Sequence, residues 1–276
     1  MQMIGSTGDI SLHWKQHPLC GPLETFLQQY GGPKAFSPSV WVEFAQRLDP
    51  DEEIQLLLST LEGCSNVLDI GGGTGLLTKA IAQQHGHCTV VEPSVENAAH
   101  MSQHRGIDIA IGKGEQLPFP RQSFDAVVAT WMLQYADRPD RCIEEIVRVC
   151  SRQTGSIVTL AQAAPWNEIA LLLNRCATLL ENPPSHHGYL LALAATALEA
   201  EGFDIELTPF PVALRFPEET PEQRVRAATA LLQQLCFDNH PRSQTIRQHL
   251  AEPLTDYLQE RQFLNDDGVL LIARYP

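Results

Sequence analysis

The residues best equipped for chemistry surround one glycine-rich turn. Within "NVLDIGGGTGLLTKAIAQQ", residues 66–84, Asp69 stands two residues before Gly71-Gly72-Gly73-Thr74-Gly75. Glycines admit positive φ and let a ligand approach without meeting a Cβ. A helix beginning near Leu76 aims its first amides into the same space. The spacing is G-x-G-x-G, whereas a dinucleotide turn reads G-x-G-x-x-G. Counted from Gly71, the place of the third glycine is held by Leu76. A carboxylate at 69 would repel a pyrophosphate and welcome a positively charged ligand.

Elements must hold that turn in place, and the middle of the chain supplies them in alternation. "NVLDI", "CTVVEP", "IDIAIG", "FDAVVAT" and "GSIVTLAQ" read as strands, with "GLLTKAIAQQ", "VENAAHMSQH" and "DRCIEEIVRVC" as helices between them. Alternation of this kind predicts a parallel sheet with right-handed crossovers, and the continuous apolar strands predict that both its faces are covered. Upstream, "GPLETFLQQYGG", "PSVWVEFAQRL" and "DPDEEIQLLLSTLEG" carry apolar residues at helical spacing. Downstream, four helical stretches beginning at Trp166, Gly188, Thr220 and Pro241 surround an extended "DIELTPFPVALRF", and the chain closes on a strand, "DGVLLIARYP". "LLALAATAL" reads as a buried helix or as the lining of an apolar tunnel.

"VLDIGGGTG" resembles the first motif of the class I S-adenosylmethionine-dependent methyltransferases, small-molecule type, similar to the methyltransferase type 11 group. The resemblance implies a doubly wound, mostly parallel seven-stranded α/β sheet. It further implies that Asp69 places the cofactor's ammonium and that Gly71, Gly72, Gly73 and Gly75 let its backbone-facing edge approach. Glu92 in "TVVEPS", with Pro93 beside it, matches the family's second mark and would hold both ribose hydroxyls. "IGKGEQLPFPRQSFDAVVA" resembles the third mark through Pro118, Phe119, Phe124 and Asp125. Here Lys113 replaces the family's aspartate for the adenine amino group, and a lysine cannot accept that bond. Adenine recognition then falls to backbone near Gly114 or to Glu115. "TWMLQYADRPDRCIEEIVRV" resembles the segment that closes over the reactive end, with Thr130 and Trp131 at the cofactor and Gln134 and Tyr135 in place of the usual histidines. "SRQTGS" replaces the family's Lys-Pro-Gly-Gly turn. The resemblance covers roughly residues 60–162.

The acceptor side is read from strand ends. Gln134, Tyr135, Gln162 and Trp166 are candidate wall residues, each equally readable as packing. His13 and His17 in "HWKQH", His186 in "PPSHHG" and Tyr135 are the candidates for a general base, since an imidazole near its ordinary pKa suits proton removal at neutral pH. The plainer reading of each histidine is an exposed loop residue. Adjacent histidines rarely present both rings to one ion, and no third ligand is spaced nearby, so no metal site is expected.

Composition narrows the partners. The chain of 276 residues carries 33 acidic and 19 basic side chains, a formal charge of −14, with no lysine or arginine run. A nucleic-acid or anionic-membrane surface would need the opposite. Seven scattered cysteines form no C-x-x-C pair, and no apolar run reaches the ~20 residues of a membrane span. The expectation is a soluble, cytoplasmic protein with reduced thiols. Residues 1–60 form a helical cap segment, 61–165 the cofactor-binding core, and 166–276 cap insertions with the last strands, all one continuous domain. The predicted function is methyl transfer from S-adenosylmethionine to an O, N or C nucleophile of a small organic molecule, in secondary metabolism or on a carrier-bound acid. The alternatives are a cofactor-binding protein of the same fold with a non-methylating or regulatory role, and an NAD-dependent reductase, which fits Glu92 and fails the glycine spacing.

Overall fold

The computed structural model describes residues 10–21, 23, 38–179, 187–237 and 241–276. A short turn of helix α1 (Leu12–Lys15), α2 (Pro38–Arg47), the two-residue strand β1 (Leu48–Asp49) and α3 (Asp51–Thr60) come first. Then β2 (Val67–Ile70), α4 (Leu76–His85), β3 (Cys88–Glu92), α5 (Val95–Met101), β4 (Ile107–Ile111), β5 (Ala126–Thr130), α6 (Pro139–Val149) and β6 (Ile157–Ala163) follow in the expected alternation. The later chain adds α7 (Glu168–Leu179), α8 (His187–Ala200), β7 (Asp204–Phe210), β8 (Ala213–Arg215), α9 (Pro221–Phe237), α10 (Ser243–Leu258), β9 (Phe263–Asn265) and β10 (Gly268–Arg274). The expected helix at 21–32 and the turn at 183–186, with His186, lie almost entirely outside the described residues.

Seven strands form the main sheet in the order β4-β3-β2-β5-β6-β10-β7. The first five run parallel; β10 is antiparallel to both β6 and β7, with Leu271 opposite Leu160 and Leu207. This is the predicted doubly wound α/β fold. The order reverses direction between β2 and β5, so a crevice opens where Ile70 and Thr130 end those strands. Both faces are covered, which is why the strands are apolar throughout. On β5, Val127 and Ala129 join the core beneath α6 and α8, while Ala126 and Val128 join the core beneath α3 and α4.

One feature departs from expectation, and one open alternative is decided. The extended stretch 204–216 is not one strand. Pro211 has no amide for a ladder, and the chain leaves the main sheet there. β8 then pairs with β1 and β9 in a small antiparallel sheet, Leu214 facing Leu48 and Leu264. Helix α8, readable as a tunnel lining, is a layer of the main core: Leu190, Leu191, Ala194, Ala195 and Leu198 are buried against the sheet. The apolar cap is built instead from α2, α7, α9 and α10 around Phe44, Leu172, Phe216, Leu232 and Leu254. Among the described residues no helix is long and apolar enough to cross a membrane.

Arg224 ties the cap together. Its guanidinium is buried and donates to four backbone oxygens, those of Leu258 and Gln259 at the end of α10 and of Glu218 and Glu219 before α9. An Arg224→Leu variant leaves those carbonyls unpaired, and urea unfolding should show a loss of about 2–4 kcal/mol.

Candidate active site

β2 ends in Ile70 and the chain turns at once through the glycines into α4. Asp69 lies beneath that turn, 2% exposed, and accepts a 2.5 Å hydrogen bond from the hydroxyl of Thr78, nine residues on in α4. Burial pushes its carboxyl up to about 6; the neighbouring Glu92 pushes the same way, and the Thr78 hydroxyl partly offsets both. The turn has no room for a side chain at Gly72, where a Cβ would stand 2.5 Å from the Val90 side chain and 2.7 Å from the Thr78 hydroxyl. Gly73 differs. Its φ is +56°, and a Cβ there would find nothing nearer than the Trp41 indole nitrogen at 3.7 Å, so its outer side faces ligand space. Gly71 backs onto Met132, and Gly75 begins α4 against Met101.

Glu92 closes the other side of the crevice from the end of β3. One carboxylate oxygen accepts from the Gly73 amide at 2.9 Å; the other accepts from the Ser94 amide at 2.9 Å and the Asn97 side chain at 3.2 Å. The group is thus aimed at the glycine turn, with lone pairs left for a ligand's hydroxyls. Lys113 reaches Asp137 at 3.2 Å. Glu115 accepts from the Asp137 amide at 2.8 Å and is already engaged as a loop cap. Gly114 packs against Met132 and Cys142.

Asp69, Gly71, Gly72, Gly73, Glu92, Pro93, Gly114, Glu115, Thr130, Trp131, Gln134 and Tyr135 line one cavity of about 660 Å³, well within the range of small-molecule sites. Its farther wall is apolar, made by Trp41, Phe44 and Leu48 from α2 and β1, Ile169 and Leu173 from α7, and Val212. Trp131 stands between the two halves with φ +54°, a conformation that costs a non-glycine residue ~1–3 kcal/mol and is held here by its surroundings. Its amide bonds Ala161, and its indole donates to Glu53 at 2.7 Å.

Four expected wall or base residues sit elsewhere. Trp166 is 45% exposed outside the cavity, its indole bound to Asp267 at 2.8 Å; the next residue, Asn167, lines the wall in its place. Gln162 is fully buried behind the wall, bonded at 3.0 Å to His187, which does reach the cavity. His13 and His17 do not fold over the site. The indole of Trp14 donates to Glu199 on α8, and that anchor holds α1 against α8 away from the crevice.

Two carboxyls that the sequence reading passed over also line the cavity. Glu53 is one of three acids in the first turn of α3, a position that reads as dipole compensation, yet it is the buried one. Burial pushes it up to about 7, with Asp266 adding and Trp131 offsetting. Asp266, from "NDDG" in the turn before β10, is pushed to about 7 by burial, with Asn167 bonded to it at 2.8 Å and Asp267 alongside. No local spacing links positions 53 and 266.

Comparison with known proteins agrees with this geometry. Residues 68–158 match the family profile described as "Methyltransferase domain". The matched region is about a third of the chain and holds the glycine turn, Glu92 and the segment after β5. Among curated relatives, a rice 2-methyl-6-phytyl-1,4-hydroquinone methyltransferase is 35% identical over 88 residues, 30% of this chain and 25% of that protein. A ubiquinone/menaquinone biosynthesis C-methyltransferase UbiE of Rubrivivax gelatinosus is 28% identical over 149 residues, 50% of this chain and 59% of its own. The chain thus spans less than two thirds of these relatives' lengths. The crystal structure of YcgJ from Bacillus subtilis superposes with a TM-score of 0.57 at 17% identity, over 81% of this chain and 98% of that one, which shows a common fold.

The two glycines resist a side chain for different reasons. Gly72→Ala should lower the melting temperature by several degrees through its clashes with Val90 and Thr78, whereas Gly73→Ala meets no clash, carries ~1–3 kcal/mol of backbone strain at φ +56°, and should also weaken cofactor binding, read by calorimetry. Glu53 holds its proton to about pH 7 when folded and to about 4.5 when unfolded, so stability falls as pH rises between those values, by ~3 kcal/mol at the limit. Glu53→Gln removes that slope: its melting temperature should exceed the wild type's at pH 8, with the gap closing toward pH 4.5.

Proposed function

We propose that this protein moves the methyl group of S-adenosylmethionine to a small organic acceptor seated against the apolar wall. The observation that carries this reading is the charge of the cavity. Six carboxyl groups line it, those of Glu53, Asp69, Glu92, Glu115, Asp137 and Asp266, against one lysine or arginine among the described residues, Lys113, which is paired with Asp137. A dinucleotide's phosphates would be repelled there, while a cofactor bearing an ammonium and a sulfonium is favoured. The glycine cradle and the buried Asp69 fit its methionine end, and Glu92 fits its ribose. Asp137, held by Lys113 at the same rim, returns a carboxylate to the region where Lys113 removed one, and we assign the adenine amino group to it.

When bound, S-adenosylmethionine supplies a methyl carbon already activated by its leaving group. The chain's part is to fix the donor, hold the acceptor in line and exclude water, and alignment of this kind contributes up to ~7–11 kcal/mol. Asp69 and Glu92 set the donor from two strand ends; Trp131 separates donor from acceptor; the cap supplied by α2 and α7 closes the far side. The acceptor's class, small and largely apolar, is in keeping with the quinone-type names of the relatives.

Calorimetric titration with S-adenosylmethionine and S-adenosylhomocysteine tests the reading. Both should bind, and Asp69→Ala or Glu92→Ala should weaken binding ~10–100-fold, as loss of a hydrogen bond to a charged group does. Wild-type affinity should fall as pH drops through about 6, where Asp69 takes up a proton and the ammonium loses its counter-charge. No binding by the wild type would refute the proposal.

A further inference from the structure

The acceptor half of the cavity holds three oxygen acceptors with nothing donating to them. Glu53 is 6% exposed; one of its carboxylate oxygens takes the Trp131 indole, and the other has no hydrogen-bond partner among the described residues. Asp266 takes the Asn167 amide on one oxygen, and its second is likewise unpartnered. Gln134 is 3% exposed, its amide nitrogen spent on the Trp131 carbonyl, and its oxygen is buried without a partner among the described residues. All three side chains line the same cavity. Of the three, the Gln134 oxygen is fully buried, and an unpaired buried acceptor costs about 1–3 kcal/mol; with two carboxylate oxygens lining the same cavity it points to a ligand that brings donors.

Resting on the methyltransferase reading above, we propose that the acceptor is a neutral, mostly apolar molecule bearing a phenolic or enolic hydroxyl, and that Glu53, within the field of Asp266, takes the proton of that hydroxyl. An acid is excluded by the carboxyl groups on the wall, since like charges at such range repel strongly in a dry site. An ammonium is disfavoured by its own chemistry: held between two carboxylates it keeps its protons and has no lone pair with which to attack. A hydroxyl donates to a carboxylate and keeps its lone pairs. The apolar wall of Trp41, Phe44 and Leu173 suits a ring or hydrocarbon body and offers nothing to a second charge.

The step balances without another reactant. The Glu53 carboxylate takes the hydroxyl proton. The electron pair left on the acceptor makes the bond to the methyl carbon, the carbon–sulfur bond breaks, and its pair stays on sulfur, which becomes a neutral thioether. The proton leaves the carboxyl for solvent after product departs. Burial brings Glu53 to about 7, with Asp266 adding to the shift, which matches a base to neutral conditions. The charged groups facing the pair are each other and Asp267, the last engaged by the Trp166 indole. The wall's lysine, Lys113, is occupied by Asp137.

The test uses three probes of one shape: 4-methylphenol, 4-hydroxybenzoate and 4-methylbenzylamine, titrated calorimetrically into the complex with S-adenosylhomocysteine. The neutral phenol should bind at least ~10-fold more tightly than 4-hydroxybenzoate, and it should be methylated where 4-methylbenzylamine, even if bound, is not. With a panel of neutral phenols and hydroquinones as acceptors, Glu53→Gln should lower kcat ~100-fold or more and erase the acidic limb near pH 7, while binding S-adenosylhomocysteine within ~3-fold of wild type. Glutamine still accepts from Trp131, and Asp266→Asn gives a second variant should the first melt early; it should shift the limb of the pH profile to lower pH. Preference for the acid, methylation of the amine, or no phenol bound or methylated by a protein that binds the cofactor, overturns the acceptor class. Wild-type kcat in Glu53→Gln overturns its role. Failure of the wild type to bind S-adenosylhomocysteine overturns the methyltransferase reading instead.

Discussion

The hydrogen bond from Thr78 to Asp69 is the interaction on which the rest of the site depends. It joins the end of β2 to the first turn of α4 across the glycine turn, and it does so in a buried place. A carboxylate taken out of water needs such a partner, because desolvation alone would neutralise it. The bond holds Asp69 directly beneath Gly72, which leaves no space for a side chain there and presses the loop into one shape. The Gly71 amide then meets the Val91 carbonyl, and the Gly73 amide meets Glu92. Strand end, turn, helix start and neighbouring strand are thereby locked around the cavity, with room beyond the backbone at Gly73.

From that lock the cavity extends toward the cap, and its character changes on the way. Near the glycine turn the wall is polar and acidic, where positive charge is wanted. Beyond Trp131 it is apolar, with acid present only as Glu53 and Asp266. The strained backbone of Trp131 lies at this boundary, held by Ala161 on one side and Glu53 on the other. A residue in that conformation persists because its neighbours over-determine it, and here those neighbours come from α3 and β6, elements distant in the chain. The position of this side chain is therefore set by elements on both sides of the cavity and not by one of them alone.

The cap has a different relation to the sheet. Its helices bury their own apolar core with α2, and Arg224 satisfies four carbonyls within it. Because the small sheet β1-β8-β9 carries strands from three separate parts of the chain, the cap borrows its order from the whole molecule. It delivers Trp41, Phe44 and Leu173 to the cavity, where they form its apolar wall.

The sequence alone determined the main sheet's parallel strands, the glycine turn and the carboxyls of Asp69 and Glu92. Each of these is written in local pattern: apolar runs of strand length, glycines at fixed spacing, an acid at a strand end. Lys113 was legible as a departure, and the structure supplied Asp137 beside it. The second half of the site was decided only in three dimensions. Glu53 looks like any first-turn helix acid, Asp266 like any turn residue, and Trp166 like a better wall than Asn167. Which of two neighbouring residues faces inward depends on how α7 sits on the cap. Whether a carboxyl is solvated or buried depends on what folds over it. The chain encodes both through packing between segments over two hundred residues apart, and no spacing along the sequence carries that information.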